Sequence, residues 1–347
     1  METEADLGDG LLSSSISIRR RSASVSDDYS VQKTNDDATE SKFAAVQLKY
    51  WSDKFIDHFV YASGVDSLHR RDPEISRGYW ARTASITSLV LQFIQRAGAS
   101  AQIVNIGAGF DTLYWRLKDG GQKFYKYVEM DFSSVTSKKI RQIRRNHKQN
   151  IDLTSFFSQP PVESNHSDLL AGDYSLIGVD LRQIREFDEK LMLADLDVTQ
   201  PTLFISECVL VYMDESNSAE LLTHVSKTFT TAAFINYEQV NMNDNFGRIM
   251  LDNLHQRGIM LPGLPTCETL QTQMRRFLTS GWSMAKAWTI NQVYNQLLKK
   301  QEVERIEDLE PLDEKELLTQ LLEHYCLVYA FKDSTNHRPE LAELAPN

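Results

Sequence analysis

The sequence predicts an α/β fold in which helices cover both faces of a mostly parallel sheet. Short apolar segments of β-strand character alternate with segments of helical periodicity between about residues 79 and 238, and this alternation is typical of parallel sheets. Residues 101–110, AQIVNIGAGF, end in two glycines and run directly into DTLYWRL, which resembles a helix start. A strand, a tight turn and a helix in this order favour a ligand-binding site at the turn.

The first 40 residues are predicted to be a disordered tail. They are rich in Ser, Asp, Thr and Arg, and they hold too few large apolar residues to offset the entropy cost of ordering. Within them, Ser22 and Ser24 follow three arginines. That pattern is either a target for a basophilic kinase or part of a solvated tail.

Residues 41–97 are predicted to form lid and flanking helices. Apolar residues recur at near-helical spacing from Phe43 onward, and a second helix is expected from about Tyr79 to Ala97. Gly98 stands where the C-cap of that helix is expected. Helices placed just before the first strand could close over a site at its carboxyl end.

The rest of the chain continues the alternation. Further strands are predicted at residues 126–132, 174–181, 202–212 and 232–238. Helices are expected at about 138–148, near 268–280 and near 313–323. The late runs MAKAWTI and YCLVYAF are expected to pair as an antiparallel edge.

An insertion is predicted after the strand that ends near Glu238. It runs from about residue 239 to 266, contains one helix and ends at LPGLP. The folded domain is therefore predicted to span residues 41–335, and residues 336–347 are expected to be a flexible tail.

The composition argues against several classes of protein. The 347 residues include 37 basic and 48 acidic side chains, and the net charge of −11 disfavours nucleic acid as a partner. The three cysteines, Cys208, Cys267 and Cys326, match no zinc spacing, so we expect no metal site and a reducing compartment. No run reaches the ~20 apolar residues of a membrane span, and no signal peptide is evident. We expect a monomer in the cytoplasm, with the nucleus as a second compartment.

Two glycines and one aspartate predict a binding site for an adenosine-type ligand. Gly107 and Gly109 let backbone N–H groups approach a ligand at the strand-to-helix turn. Asp131 ends the next strand, where a carboxylate can accept both hydroxyls of a ribose. The alternative is that the glycines only form a tight turn and Asp131 only caps a helix.

Three features favour S-adenosylmethionine over NAD as that ligand. Thr112 stands where a dinucleotide site has a third glycine. Asp180 and Leu181 follow a third strand, and Glu207 follows a fourth. The carboxyl ends of parallel strands meet in one crevice, and an acidic rim suits an uncharged ribose and a cationic sulfonium.

The strings NIGAGFDTLYWRL, SRGYWARTASI, GVDLR, SECVLVYM, INYEQVNMNDNFGRIM and HYCL closely resemble the leucine carboxyl methyltransferases. The resemblance runs from about Lys42 to Lys332. It implies a Rossmann-like class I methyltransferase fold that uses S-adenosylmethionine. It also implies an acceptor, the α-carboxylate of the C-terminal leucine of the protein phosphatase 2A catalytic subunit, whose methyl ester regulates holoenzyme assembly.

The resemblance assigns roles to residues of the predicted crevice. Those in contact with the cofactor would be Lys42, Arg82, Gly107, Gly109, Asp131, Asp180, Leu181 and Glu207. Asp131 would hold the ribose, Asp180 and Leu181 the adenine, and Glu207 the methionyl amino group. Arg82 would bind a carboxylate of the cofactor or of the acceptor, and Tyr212 is either a further acceptor contact or a core tyrosine. Lys42 departs by one position from the two adjacent basic residues expected there.

An ionised α-carboxylate is already a nucleophile, so the reaction requires no general base. Three alternatives stay open. One is an RNA or small-molecule methyltransferase of the same fold, for which the basic run at 138–148 is the only support. The others are a non-catalytic protein that binds the phosphatase and an NAD-dependent enzyme.

Overall fold

The computed structural model describes residues 9–60, 71–145 and 151–347, with side chains from residue 28 onward. Within these ranges the helices are α1 (Asp9–Gln47), α2 (Pro73–Ala97), α3 (Leu113–Asp119), α4 (Ser133–Arg144), α5 (Ile184–Leu193), α6 (Glu215–Thr228), α7 (Asn245–Gln256), α8 (Leu270–Thr279), α9 (Ile290–Gln292), α10 (Lys300–Leu309) and α11 (Glu316–Glu323). The strands are β1 (Gln102–Ile106), β2 (Lys126–Asp131), β3 (Val162–Ser164), β4 (Asp168–Ala171), β5 (Tyr174–Gly178), β6 (Thr202–Glu207), β7 (Thr231–Gln239), β8 (Met284–Thr289) and β9 (Tyr325–Asp333).

These strands form one sheet in the order β3-β4-β5-β2-β1-β6-β7-β9-β8. The five central strands, β5, β2, β1, β6 and β7, are mutually parallel, as predicted. The β9 strand runs antiparallel to β7 and to β8, so the predicted antiparallel edge is confirmed. All five residues of β1 and of β5 are buried, which is usual for strands covered on both faces.

Helices cover both faces of the sheet. On one face, α2 packs with α3 and α4, and its core includes Phe93, Trp115 and Ile140. On the other, α5, α6 and α8 enclose a second core that includes Phe187 and Leu222. The predicted fold class is therefore confirmed.

The antiparallel hairpin of β3 and β4 at one edge of the sheet was not predicted. The β3 strand has only three residues, two of which are exposed, so it lacks the apolar alternation that identifies strands. Asn165 and His166 form its turn with φ values of 51° and 59°, a left-handed conformation that asparagine tolerates better than most residues.

The strand predicted at 202–212 is shorter than expected. The β6 strand ends at Glu207, and Leu210–Tyr212 form a 3₁₀ turn. The buried Glu238 carboxylate accepts a hydrogen bond from the Val211 N–H at 2.6 Å, which anchors this turn beside the end of β7.

The predicted disorder of residues 1–40 is wrong for residues 28–40, which continue helix α1 across the carboxyl ends of the strands. Polar contacts hold this part of α1 in place. Asp28 pairs with Arg182 at 2.9 Å, and Asn35 Oδ1 accepts a hydrogen bond from the Phe110 N–H at 2.7 Å. The prediction of disorder rested on how few apolar residues this segment can bury, and amino-acid composition gives no information on such polar contacts. The side chains of Ser22 and Ser24 lie outside the described residues.

The predicted flexibility of residues 336–347 is also wrong. Pro339–Glu343 form a 3₁₀ helix that packs against the α2 face of the sheet. Leu341 and Leu344 are fully buried, and the Tyr329 hydroxyl donates a hydrogen bond of 2.6 Å to the Leu341 carbonyl. Two leucines therefore anchor a segment that is otherwise polar.

Substituting Leu341 with alanine is expected to lower the free energy of unfolding by about 2–5 kcal/mol, the usual effect of truncating a buried leucine. Urea denaturation would measure the change. The exposed Glu343 is the matched control, because Glu343→Ala should leave the unfolding midpoint nearly unchanged. Equal midpoints for both variants would contradict the packing of this segment.

Candidate functional site

A cavity of about 270 Å³ opens at the carboxyl ends of the parallel strands. Helices α1 and α2, the β1–α3 turn, the ends of β2, β5, β6 and β7, and α7 with its following loop all contribute to its walls. The sequence-predicted residues that line it are Lys42, Arg82, Gly107, Gly109, Asp131, Asp180, Leu181, Glu207 and Tyr212. The fold thus brings together every residue predicted for the site.

The β1–α3 turn requires glycine at two positions. Gly107 and Gly109 have φ values of 63° and 51°, in the left-handed region that favours glycine. A Cβ at Gly107 would lie 2.4 Å from a methyl carbon of Val209. A Cβ at Gly109 would lie 2.3 Å from Asn35 Oδ1, so α1 can approach the turn only because this side chain is missing.

Asp131 lies beside this turn at the end of β2. Its carboxylate accepts hydrogen bonds from the N–H groups of Gly109 and Phe132, each at 2.7 Å. Burial raises the pKa of Asp131 to about 6, although both hydrogen bonds oppose that shift. The side chain is therefore held in one orientation at the cavity wall and is ionised at neutral pH.

At one end of the cavity, Asp180 and Leu181 follow β5. Arg182 donates hydrogen bonds of 2.9 Å from Nε and from a terminal nitrogen to the Asp180 carboxylate. The same guanidinium is paired with both carboxylate oxygens of Asp28 on α1. Arg182 therefore links α1 to the loop that carries Asp180.

At the other end, three charged side chains from three elements meet. Arg82 of α2 donates a hydrogen bond of 2.5 Å from Nε to Glu207 Oε2, at the end of β6. Lys42 Nζ, from α1, lies 3.6 Å from the same oxygen. Burial alone would lower the pKa of Arg82, but Glu207 and other neighbours raise it well above its ordinary value. Lys42 and Arg82 thus both face the Glu207 carboxylate at this end of the cavity.

Aromatic rings surround the Arg82 guanidinium. Its central carbon lies 4.7 Å from the ring centroid of Tyr237 and 5.7 Å from that of Tyr79, within the range of cation–π attraction. Tyr212 also lines the cavity, and burial raises its pKa. The Tyr212 hydroxyl therefore keeps its proton and is available as a donor.

Several residues of the cavity were not predicted. Asp111 follows the glycine turn by two positions, so the GAGFDT string itself offered a signal that the prediction did not use. Asn35 lines the cavity from the segment predicted to be disordered. Met250, Leu254 and Ile259 add an apolar wall from α7 and the loop after it. No local pattern in the sequence indicated that this wall would face the site.

The three cysteines, distant in sequence, converge beneath the cavity near Glu238. Cys326 is the strand partner of Glu238, and Cys267 Sγ lies 3.9 Å from its carboxylate. All three are free thiols, and burial raises the pKa of Cys208 to about 12. Among the described residues no cluster of His, Cys, Asp and Glu could hold a metal ion.

In the described part of the basic run at 138–148, two cations are held in ion pairs, and Arg141 and Arg145 are exposed. Lys139 is fully buried and pairs with the fully buried Glu129 at 2.5 Å. Arg144 pairs with Glu163 at 2.7 Å. Lys148 lies outside the described residues. In the part of the chain that is described, no helix is long and apolar enough to cross a membrane.

Comparison with known proteins identifies the family. Residues 30–226 match the leucine carboxyl methyltransferase family. Leucine carboxyl methyltransferase 1 of Caenorhabditis elegans is 50% identical over 331 residues, which cover 95% of this chain and 99% of that protein. The human tRNA wybutosine-synthesizing protein 4 is 34% identical over 88% of this chain, but the match covers only 44% of the human protein.

A structural comparison agrees on the fold. A proposed methyltransferase from Thermobifida fusca superposes with a TM-score of 0.50, at 10% identity, over 84% of this chain and 94% of that one. The sheet therefore has the Rossmann-like class I methyltransferase architecture, and its strand-end cavity is the place where this architecture binds ligands. By sequence, the chain belongs to the leucine carboxyl methyltransferase family.

Proposed function

We propose that this protein transfers a methyl group from S-adenosylmethionine to the α-carboxylate of the C-terminal leucine of the protein phosphatase 2A catalytic subunit. The cluster of Lys42, Arg82 and Glu207 at one end of the cavity carries the proposal. Both ligands present a carboxylate, and this cluster offers the cations that carboxylates require. The identity of the phosphatase follows from the family resemblance.

The residues of the cavity fit the proposed cofactor. Asp131 offers a carboxylate for ribose hydroxyls midway along the cavity, and Asp180 with Leu181 would hold the adenine. At the opposite end, Glu207 would bind the ammonium of the methionyl group, and Lys42 would bind its carboxylate. When bound, the cofactor supplies a methyl group on a cationic sulfur, which an oxygen anion can attack directly.

The chain's own contribution is binding, orientation and exclusion of water. An α-carboxylate has a pKa of ~3.3–3.7, so the acceptor is ionised at neutral pH without help from a base. Consistently, the described residues that line the cavity include no histidine. Alignment of two bound reactants can lower a barrier by ~7–11 kcal/mol.

Arg82 is suited to orient the acceptor. Arg82 Nε donates its hydrogen bond to Glu207, and no other carboxylate of the described residues pairs with the guanidinium. The fork of two terminal nitrogens therefore remains for the acceptor carboxylate. Tyr212 is a further donor at this end. Helices α1 and α7 cover the cavity with apolar groups such as Val31 and Met250, which limits competition from water for these hydrogen bonds.

The direct test is transfer of a labelled methyl group from S-adenosylmethionine to the purified phosphatase catalytic subunit. We expect labelling of the intact subunit and none of the same subunit without its last leucine. Equal labelling of both would contradict the proposal. Transfer RNA serves as a third acceptor, because labelling of RNA alone would favour the activity of the wybutosine-synthesizing relative.

We propose that the protein acts as a cytoplasmic monomer.

A pH dependence follows from the raised pKa of Asp131. This carboxylate is ionised above about pH 6 and protonated below it, and only the ionised form can accept both ribose hydroxyls. The affinity for S-adenosylmethionine is therefore expected to fall as the pH decreases from 7.5 to 5.5. Calorimetric titration would measure it.

Asp131→Asn is the control for this pH effect. The variant should bind the cofactor about tenfold more weakly at pH 7.5, because a neutral amide forms weaker hydrogen bonds than a carboxylate. Its affinity should change less between the two pH values. An unchanged pH dependence in Asp131→Asn would assign the effect to another group, of which the buried Glu129, with a pKa raised to about 7, is the nearest alternative.

A further inference from the structure

We propose that Asp111 is a positioning residue that holds the Lys42 ammonium at the methionyl end of the cavity. The inference rests on the proposed cofactor and adds a residue to which no role has been assigned. Asp111 Oδ1 lies 3.6 Å from Lys42 Nζ, which in turn lies 3.6 Å from Glu207 Oε2. The ammonium thus lies between two carboxylates, one from the β1–α3 turn and one from the end of β6.

Asp111 is itself fixed by its neighbours. Its side chain is only 6% exposed. Its Oδ2 accepts a hydrogen bond of 3.1 Å from the Asn105 side chain, and its Oδ1 accepts one of 2.8 Å from the Thr112 N–H. Burial raises the pKa of Asp111, but Lys42, Arg116 and Lys139 outweigh that effect and lower it overall. A charged and immobile carboxylate therefore faces Lys42.

A second, fully buried ion pair supports the backbone of Asp111. Lys139 Nζ donates a hydrogen bond of 2.8 Å to the Asp111 carbonyl and pairs with Glu129 at 2.5 Å. The Tyr174 hydroxyl donates a hydrogen bond of 2.7 Å to the same Glu129 oxygen. Charged groups this deeply buried hold their partners in a defined geometry. The chain of contacts thus runs from the sheet interior to Lys42.

Lys42 needs such support because its side chain is long and flexible. A lysine has four rotatable side-chain bonds and loses much rotamer freedom when it is fixed. It belongs to α1, where the neighbouring Phe43 and Ala45 are buried, so packing fixes the helix backbone but not the position of the ammonium group. At 3.6 Å the two carboxylates attract the ammonium without forming hydrogen bonds to it, so its protons remain for an anionic ligand group. Asp111 therefore orders Lys42 before the cofactor arrives.

A double-mutant cycle on cofactor affinity tests this role. Asp111→Asn keeps the shape of the side chain and removes its charge, and Lys42→Met removes the ammonium. We expect each single variant to bind S-adenosylmethionine about tenfold more weakly by calorimetry, as is typical for loss of one charge-assisted contact. In the Lys42→Met background, Asp111→Asn should change the dissociation constant less than twofold.

The matched control is Asp119→Asn. Asp119 pairs with Lys54 at 2.6 Å, far from the cavity and roughly half exposed, so the same change of charge should leave the affinity unaltered. Melting temperatures of all variants would show whether each is folded. If Asp111→Asn does not fold, Asn105→Leu removes one hydrogen bond to Asp111, and its weaker effect should likewise disappear in the Lys42→Met background.

An equal loss of affinity in both backgrounds would overturn the inference, because Asp111 would then act independently of Lys42. An unchanged affinity of Asp111→Asn would overturn it as well. Failure of the parent protein to bind S-adenosylmethionine would instead contradict the proposed function. The two failures are therefore distinguishable in one set of titrations.

Discussion

Replacing Arg82 with methionine is expected to lower kcat/KM for methyl transfer by about 10³-fold. The guanidinium is 11% exposed and holds the Glu207 carboxylate at 2.5 Å. Loss of the guanidinium frees the Glu207 carboxylate to move, and displacement of a bound reactant by about 1 Å can slow a reaction about 10²-fold. Each lost hydrogen bond to a charged group costs about 1.5–3 kcal/mol, which is at least about tenfold. The variant also loses the proposed donor fork for the acceptor carboxylate.

Two variants separate these contributions. Arg82→Lys keeps a charge but not the planar fork, so its activity should stay well below that of the parent. Arg185→Met, an exposed arginine on α5, should be fully active. Steady-state rates measured with the phosphatase catalytic subunit would check both expectations. Full activity of Arg82→Lys would show that charge alone suffices and that bidentate geometry is unimportant.

Replacing Glu207 with glutamine is expected to weaken S-adenosylmethionine binding by about 10²-fold. The carboxylate lies between Lys42 and Arg82, so its removal leaves Arg82 without its carboxylate partner and leaves Lys42 with Asp111 alone. The methionyl ammonium would then meet repulsion where it now meets a charge-assisted hydrogen bond. Calorimetry on the purified variant would measure the dissociation constant.

Glu220→Gln on the exposed face of α6 is the matched control and should bind like the parent. The Glu207 variant is also expected to bind the demethylated product, S-adenosylhomocysteine, with a similar loss, because that product carries the same ammonium. A loss confined to S-adenosylmethionine would contradict the assignment, since it would place Glu207 at the sulfonium instead.

The central part of the site could be predicted because its residues occupy strand ends. Gly107, Asp131 and Glu207 each follow an apolar strand that the sequence makes recognisable. In a parallel sheet those ends must meet at one edge, so their convergence required no knowledge of side-chain packing. The parallel order of the central strands followed from the same alternation.

The part of α1 at residues 28–40, which covers the site, could not be predicted in the same way. Asp28 and Asn35 stabilise α1 through Arg182 and the Phe110 N–H, and such pairings depend on the tertiary fold. The convergence of Cys267 and Cys326 on Glu238 has the same origin. In the C-terminal segment the large apolar side chains that anchor the chain are Leu341 and Leu344, too few for a recognisable apolar pattern. Hydrogen bonds such as that of the Lys286 ammonium to the Ala342 carbonyl also depend on the tertiary fold.

The most direct test of carboxylate methylation is to locate the transferred methyl group. After incubation with S-adenosylmethionine, the C-terminal peptide of the phosphatase catalytic subunit would be analysed by fragmentation in a mass spectrometer. We expect one methyl group on the terminal leucine, as an ester that mild base removes. A base-stable methyl group, or one on any other residue, would contradict carboxylate methylation by this protein.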